Sequence, residues 1–423
     1  PSPLSVVASG FASIQQFEEN MEHVFGTRSA EQTELVLDFS HATFLDLPTL
    51  QYAIALTLAR LRKGLITKFR VPAGHDGAAA RDFLRRWEFP KALRVATGIK
   101  FSSFVAQEDL RYFRHFGGDS GKRRYISSIA RVESRDTARA SQAEADTLLE
   151  PSSESSGLYV ASRIVYEAMT NAVRHPGASV IQTSSLLRNY AAGGPNFFPF
   201  TSWKLDEYGE KGRVSDEASD KWSVEPVLSV LNRHLERKVG SGAESPHAEH
   251  FSVVFWDDGK SMTETLRAAL AAGEPIREAD YPANFDTDYR VRWIDEDGNE
   301  IERVVHSART PDLNSADYEL LLATLFPGVT CDVKGVGHRV HAELRRAEPS
   351  MARHGMGLFA LIRTAVDEFD GAVAFRTGSF FMNVKRALRN DPTAHYRVKI
   401  QARKSSTPLF LGNMVTVRLP IRK

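Results

Sequence analysis

The sequence predicts a two-part α/β and α+β protein: a small βαβ unit at the N-terminus, then a mixed sheet covered by helices and carrying large insertions. Three observations predict it. Strand-like and helix-like segments alternate between residues 35 and 101. The last third of the chain reads as β-hairpins. The 423 residues, 42% hydrophobic and 25% charged, have globular composition and exceed one ordinary domain.

In the N-terminal unit, Leu35 to Phe39 is a short apolar strand. Thr49 to Lys63 is a helix with Leu50, Ala53, Ile54, Leu58 and Leu61 on one face, closed by Gly64. Ile66 to Val71 is a second strand and Ala78 to Trp87 a second helix. Strand–helix–strand order implies parallel βαβ connections, and this unit is assigned residues 1–106. Residues 107–156 are polar, rich in Arg, Ser and Glu, and close with PSSESS, so they read as a connector. Within it, RYISSIARV (124–132) has helical spacing.

The third part, residues 157–423, carries the chemistry in three motifs. In the first, Val160, Ile164, Ala168 and Ala172 define a helix face, and Pro176 stops the helix at His175. Glu167 and Asn171 stand at i and i+4 and project from one side. An amide oxygen there suits a hard cation such as Mg²⁺, and a carboxylate can order or deprotonate a hydroxyl. The second motif is an apolar strand, Phe251 to Trp256, ending in Asp257-Asp258-Gly259. A carboxylate emerging at a strand's C-terminal end sits where α/β folds place ligand groups, and could accept a bond from a purine amino group. The third is a helix preceded by Gly355 and Gly357, with Phe359, Ile362, Val366 and Phe369 inward and Gly371 at its end. Two glycines at a helix start permit close backbone approach and leave N–H groups for phosphate. The segment GAVAFRTGSFFMNVKRA then forms a hairpin, and Met414 to Pro420 a last strand. Each motif alone is a common structural pattern, and only their order argues for a nucleotide site. The stretches 189–250 and 263–353 exceed a plain loop, so they are insertions with their own structure or lids.

In that order the motifs resemble the GHKL (Bergerat-fold) ATP-binding superfamily. EAMTNAVRH and HGMG look most like the anti-sigma-factor serine kinases. The resemblance implies ATP and Mg²⁺ as ligands, Glu167 as catalytic base and Asn171 as metal ligand. It places Asp257 and Gly259 at the adenine. It sets Arg174, His175, Met262, Gly355, Met356, Gly357 and Leu358 around the nucleotide, and Gly412-Asn413 where the family commonly has Gly-Thr. Ser261 replaces the second glycine of the Asp-x-Gly-x-Gly pattern. The N-terminal unit resembles a STAS domain. Leu47 falls where that family's phosphorylated serine stands, and Thr49 is displaced, so a docking or structural role is implied.

The expected function is therefore an ATP switch with slow hydrolysis, whose lid alters a surface offered to a protein partner in trans; a homodimer is a further arrangement. The first alternative is a serine/threonine kinase acting on a STAS protein in trans. The second is a scaffold with a degenerate site. No H-E-L-R-x-P-like helix precedes the motifs, which argues against a histidine kinase. The absence of a following transducer domain argues against a topoisomerase or chaperone. Lys+Arg 54 against Asp+Glu 53 removes the bulk electrostatic argument for nucleic acid. The single cysteine, Cys331, excludes an internal disulfide, and no apolar run approaches a membrane span, so a cytoplasmic protein is expected.

Overall fold

The computed structural model describes residues 3–27, 34–87, 89–110, 128–131, 180–189, 196–200, 249–274, 285–330, 357–388, 391–405 and 407–421, with single positions between them. The fold is mixed α and β, with a three-stranded parallel sheet and a ten-stranded mixed sheet.

The small sheet joins β1 (Leu4–Ala12), β2 (Glu34–Leu45) and β3 (Ile66–Arg70) in that order, all parallel. Helix α1 (Ile14–Thr27) crosses from β1 to β2, and α2 (Leu47–Arg62) from β2 to β3. Helices α3 (Ala78–Arg86) and α4 (Phe89–Thr97) complete the unit, followed by the short α5 (Gln107–Leu110). The strands and helices expected from 35 onward are present; β1 and α1 add a βαβ turn before them. Asp46 caps α2 by accepting from the Thr49 N–H at 2.8 Å, and Pro48 occupies the first turn, where its missing N–H costs nothing. Leu47 and Thr49 are thus helix-start residues, and Thr49 is fully buried.

Helix α2 departs from the one-sided pattern expected of it. Thirteen of its sixteen residues are buried, including Gln51, Tyr52 and Thr57 on the supposed polar side. The reason is its position: it packs on β2 and β3 and also on β7 and β13 of the large sheet. A helix enclosed on all sides has no stripe to reveal.

The large sheet runs β4–β5–β7–β13–β10–β11–β12–β8–β9, with β6 also paired to β5. Its strands are β4 (Ser128–Arg131), β5 (Val180–Asn189), β6 (Asn196–Phe200), β7 (Glu249–Asp257), β8 (Asp288–Ile294), β9 (Glu300–His306), β10 (Ala372–Gly378), β11 (Phe380–Arg386), β12 (Tyr396–Ala402) and β13 (Phe410–Ile421). All pairs are antiparallel except β8–β12. The helical reading of RYISSIARV is corrected here, because Ser128–Arg131 pairs with β5 as a strand. Sheet pairing overrides a weak local preference in so short a segment. Phe197 to Phe200 also belongs to a strand, and Pro199 is tolerated because β6 pairs on one side only.

One face of the large sheet carries α6 (Met262–Ala271), α7 (Asp317–Ala323) and α8 (Gly357–Ile362), the last extended by a π-helical turn, Arg363–Glu368. Phe255, Val291, Phe375, Met382, Ile400 and Val417 meet these helices in one core. On the other face, Val254, Trp256, Phe410 and Met414 belong to the core of the N-terminal unit. Of the two readings left open for 263–353, the described part, 263–330, follows the first. It forms α6, the β8–β9 hairpin and α7, and Leu320, Leu321 and Tyr289 are completely buried. This part is core and does not form a lid; residues 331–356 lie outside the described residues.

Candidate functional site

Strand register assembles the site. Asp257 ends β7 and stands opposite Asn413 of β13, which stands opposite Thr377 of β10. Side chains alternate along strands, so these three point to the helix-covered face along with Phe255, Phe375 and Val415. Asn413 donates from Nδ2 to Asp257 Oδ1 at 3.1 Å and to the Lys260 carbonyl at 2.9 Å. Thr377 donates to Asn413 Oδ1 at 2.7 Å and accepts from the Met262 N–H at 2.9 Å. The Gly259 N–H donates to Asp257 Oδ1 at 2.9 Å. Among the described residues, Oδ2 has only a long contact to Asn413, at 3.4 Å.

Burial pushes the Asp257 carboxyl up to about 8; the Gly259 and Asn413 donors oppose the shift, and neighbouring Asp258 adds to it. A carboxyl whose second oxygen has no short partner among the described residues can accept a bond from a ligand N–H when ionised. Asp258 is itself buried. It accepts from the Val180 N–H at 2.7 Å and pairs with Arg62 at the end of α2.

Backbone approach at the site demands glycine. Gly412 has φ +77°, and a Cβ there would lie 1.7 Å from the Asp257 carbonyl oxygen. The turn after Asp257 leads straight into α6, where Ser261 and Glu264 form a capping box, Ser261 Oγ accepting from the Glu264 N–H at 3.3 Å. The departure from glycine at 261 thus provides a helix cap.

Gly357 opens α8 on the same face. Asp370, at φ +54°, and Gly371 reverse the chain from this helix into β10. The π-helical turn Arg363–Glu368 packs on β10, β11 and β13.

Of the sequence-derived residues, Asp257, Gly259 and Asn413 come together directly. The Met262 N–H joins them through Thr377, while its side chain lies in the core. Leu358 packs partly buried against that core. Glu167, Asn171, Arg174, His175, Gly355 and Met356 lie outside the described residues. Thr377 and Arg62 were missed: the first reads as an ordinary residue before a turn glycine, and nothing in the sequence marks the second. Among the described residues, no cluster of three or more His, Cys, Asp or Glu forms a cation site. No described helix is long and apolar enough to cross a membrane.

Comparison with protein-family models, curated proteins and solved structures returned no match.

Proposed function

We propose that the chain is an ATP–Mg²⁺-binding protein of the GHKL type, a slow ATPase whose nucleotide state is communicated to a protein partner. The observation that carries this reading is the buried Asp257 carboxyl at a strand end, held by Asn413 and Gly259, with Oδ2 making only a long contact among the described residues. That geometry suits an adenine amino group, and the close approach at Gly412 keeps the turn free of side-chain bulk. Helix α8, which opens at Gly357, packs on the same face of the sheet, and a helix start is where phosphate would be read.

In this reading Asp257 fixes the purine, and the backbone at Gly357 faces the phosphates. Mg²⁺ would be held by Asn171 and would neutralise phosphate charge. Glu167 would take a proton from the attacking water. The lid expected over 263–353 is restricted to residues after 330, since the preceding segment is core. Arg62 and Asp258 offer another route for the signal: Asp258 adjoins the purine-binding Asp257, and its cation comes from the N-terminal unit.

Calorimetric titration with ATP–Mg²⁺ tests the reading. Asp257→Asn keeps the shape but replaces one acceptor oxygen with an amide donor. It should weaken binding at least ~10-fold, as expected when a buried polar ligand group loses its partner. Equal affinity in Asp257→Asn and Asn171→Ala would remove the proposal. Inorganic phosphate release, against label transfer to an added STAS protein, separates the ATPase from the kinase. In the kinase reading the acceptor must be in trans, because Thr49 is buried within its own helix start.

A further inference from the structure

The large sheet has a second polar surface, on the face opposite α6, α7 and α8 and beyond the area that the N-terminal unit covers. Two grooves there, about 790 and 660 Å³, share Asn383, Lys385 and Lys399 and form one trough. Register sets the charges on its floor. Lys385 stands directly opposite Arg397, Arg397 opposite Arg290, and Lys399 opposite Arg292. On the far side of Ala372, Arg418 continues the first row.

Like charges directly opposite across strands destabilise a sheet. Neighbours relieve part of this repulsion: Arg290 pairs with Asp391 and Glu302, and Arg292 with Glu300. Lys385, Arg397, Lys399 and Arg418 are exposed and have no ion pair among the described residues. We propose that Lys385, Arg397, Lys399 and Arg418 form a binding site for a compact anion carrying several phosphates, separate from the Asp257 site.

The geometry favours a compact ligand over a long one. From β13 to β12 is three strand spacings, or ~14 Å. Glu18, Glu19 and Glu22 of α1 wall the trough on one side, while Glu300, Glu302 and Asp391 stand on the other. A long phosphodiester strand would cross those acids. A peptide added by strand pairing needs a free backbone edge, and β11 and β12 are interior strands with both edges paired. Among the described residues, the one aromatic ring on the floor is Phe381, which the Arg376 guanidinium already covers, so they offer no row of stacking platforms for bases.

The test is titration of Asp257→Asn protein with inorganic tripolyphosphate in EDTA, at about 0.15 M salt. This background removes the purine contact, and the lysine double variant separates binding in the trough from binding at the Gly357 backbone, so failure of the two proposals can be told apart. One molecule should bind, and Lys385→Gln/Lys399→Gln should weaken it at least ~10-fold, with an affinity that falls steeply with salt. Metal-free ATP binding as tightly as tripolyphosphate means that the phosphates alone are read; tighter binding means that a nucleoside is recognised with them. The unliganded double variant should melt no lower than its parent at low salt, because it loses only repulsion. Absent binding, an unchanged double variant or a lower melting temperature would each overturn the proposal. So would a single-stranded oligonucleotide that binds more tightly than tripolyphosphate and loses affinity in the double variant, which would give this face to nucleic acid.

Discussion

Asp257 illustrates how one buried carboxyl links stability to binding. Its folded-state value of about 8 lies above the ordinary aspartate value of 3.8. The native protein therefore holds a proton that the unfolded chain releases. The contribution is fully present below about pH 4 and is lost as pH rises through about 8. Denaturant unfolding from pH 5 to 8 should show this decline, and Asp257→Asn should flatten it. If ATP needs the ionised form, its affinity should rise with pH and level off above about 8 in the parent protein only. At Gly412, alanine would have to adopt φ +77° and occupy space 1.7 Å from a carbonyl oxygen. Gly412→Ala should cost at least ~1–3 kcal/mol in unfolding free energy from the backbone conformation alone. The site was legible at this scale where one residue type carries the chemistry, as at Asp257. It was illegible where a partner arrives from a distant strand: Thr377 meets Asn413 only because β10 and β13 pair.

Among the elements, α6 has the plainest sequence code and was nevertheless absent from the reading. Ser261 and Glu264 form a capping box, and Leu266 and Ala269 follow at core positions. Ser261→Ala should destabilise the protein by ~1 kcal/mol, measured by thermal or denaturant unfolding, while Ser261→Asp should keep most of the cap. Strands β7, β10, β11 and β13 were visible because their apolar residues alternate or run continuously. The π-helical turn after Ile362 was not, since periodicity matched to 3.6 residues per turn cannot register a wider one. Helix α2 was found but given one buried face, because its second partner, β13, lies hundreds of residues away in sequence.

Across the whole molecule, the N-terminal unit and the large sheet are joined by charge as well as by packing. Glu18 of α1 accepts two bonds from Arg376 of β10, at 2.7 and 3.0 Å, and Arg376 is only 5% exposed. Glu18→Ala would leave that guanidinium buried without its carboxylate, at a cost of about 3–5 kcal/mol. Replacing both residues, as Glu18→Leu/Arg376→Met, should recover much of the loss, and a double-mutant cycle by chemical denaturation measures the coupling. Tyr52 of α2 packs at a tilt against Phe410 and lies beneath the Arg403 guanidinium, so the contact continues through aromatic packing. None of this was readable from composition, since the pairing residues lie more than 350 positions apart.

The sharing of Trp256, Met414 and Phe410 with α2 has a practical consequence for dissecting the molecule. A polypeptide beginning at Gly157 would carry both of the sheet's apolar surfaces but the cover for only one. It should bind a hydrophobic dye and precipitate when expressed alone. Supplying residues 1–106 as a separate chain should restore its solubility, and each piece would act as the other's missing half.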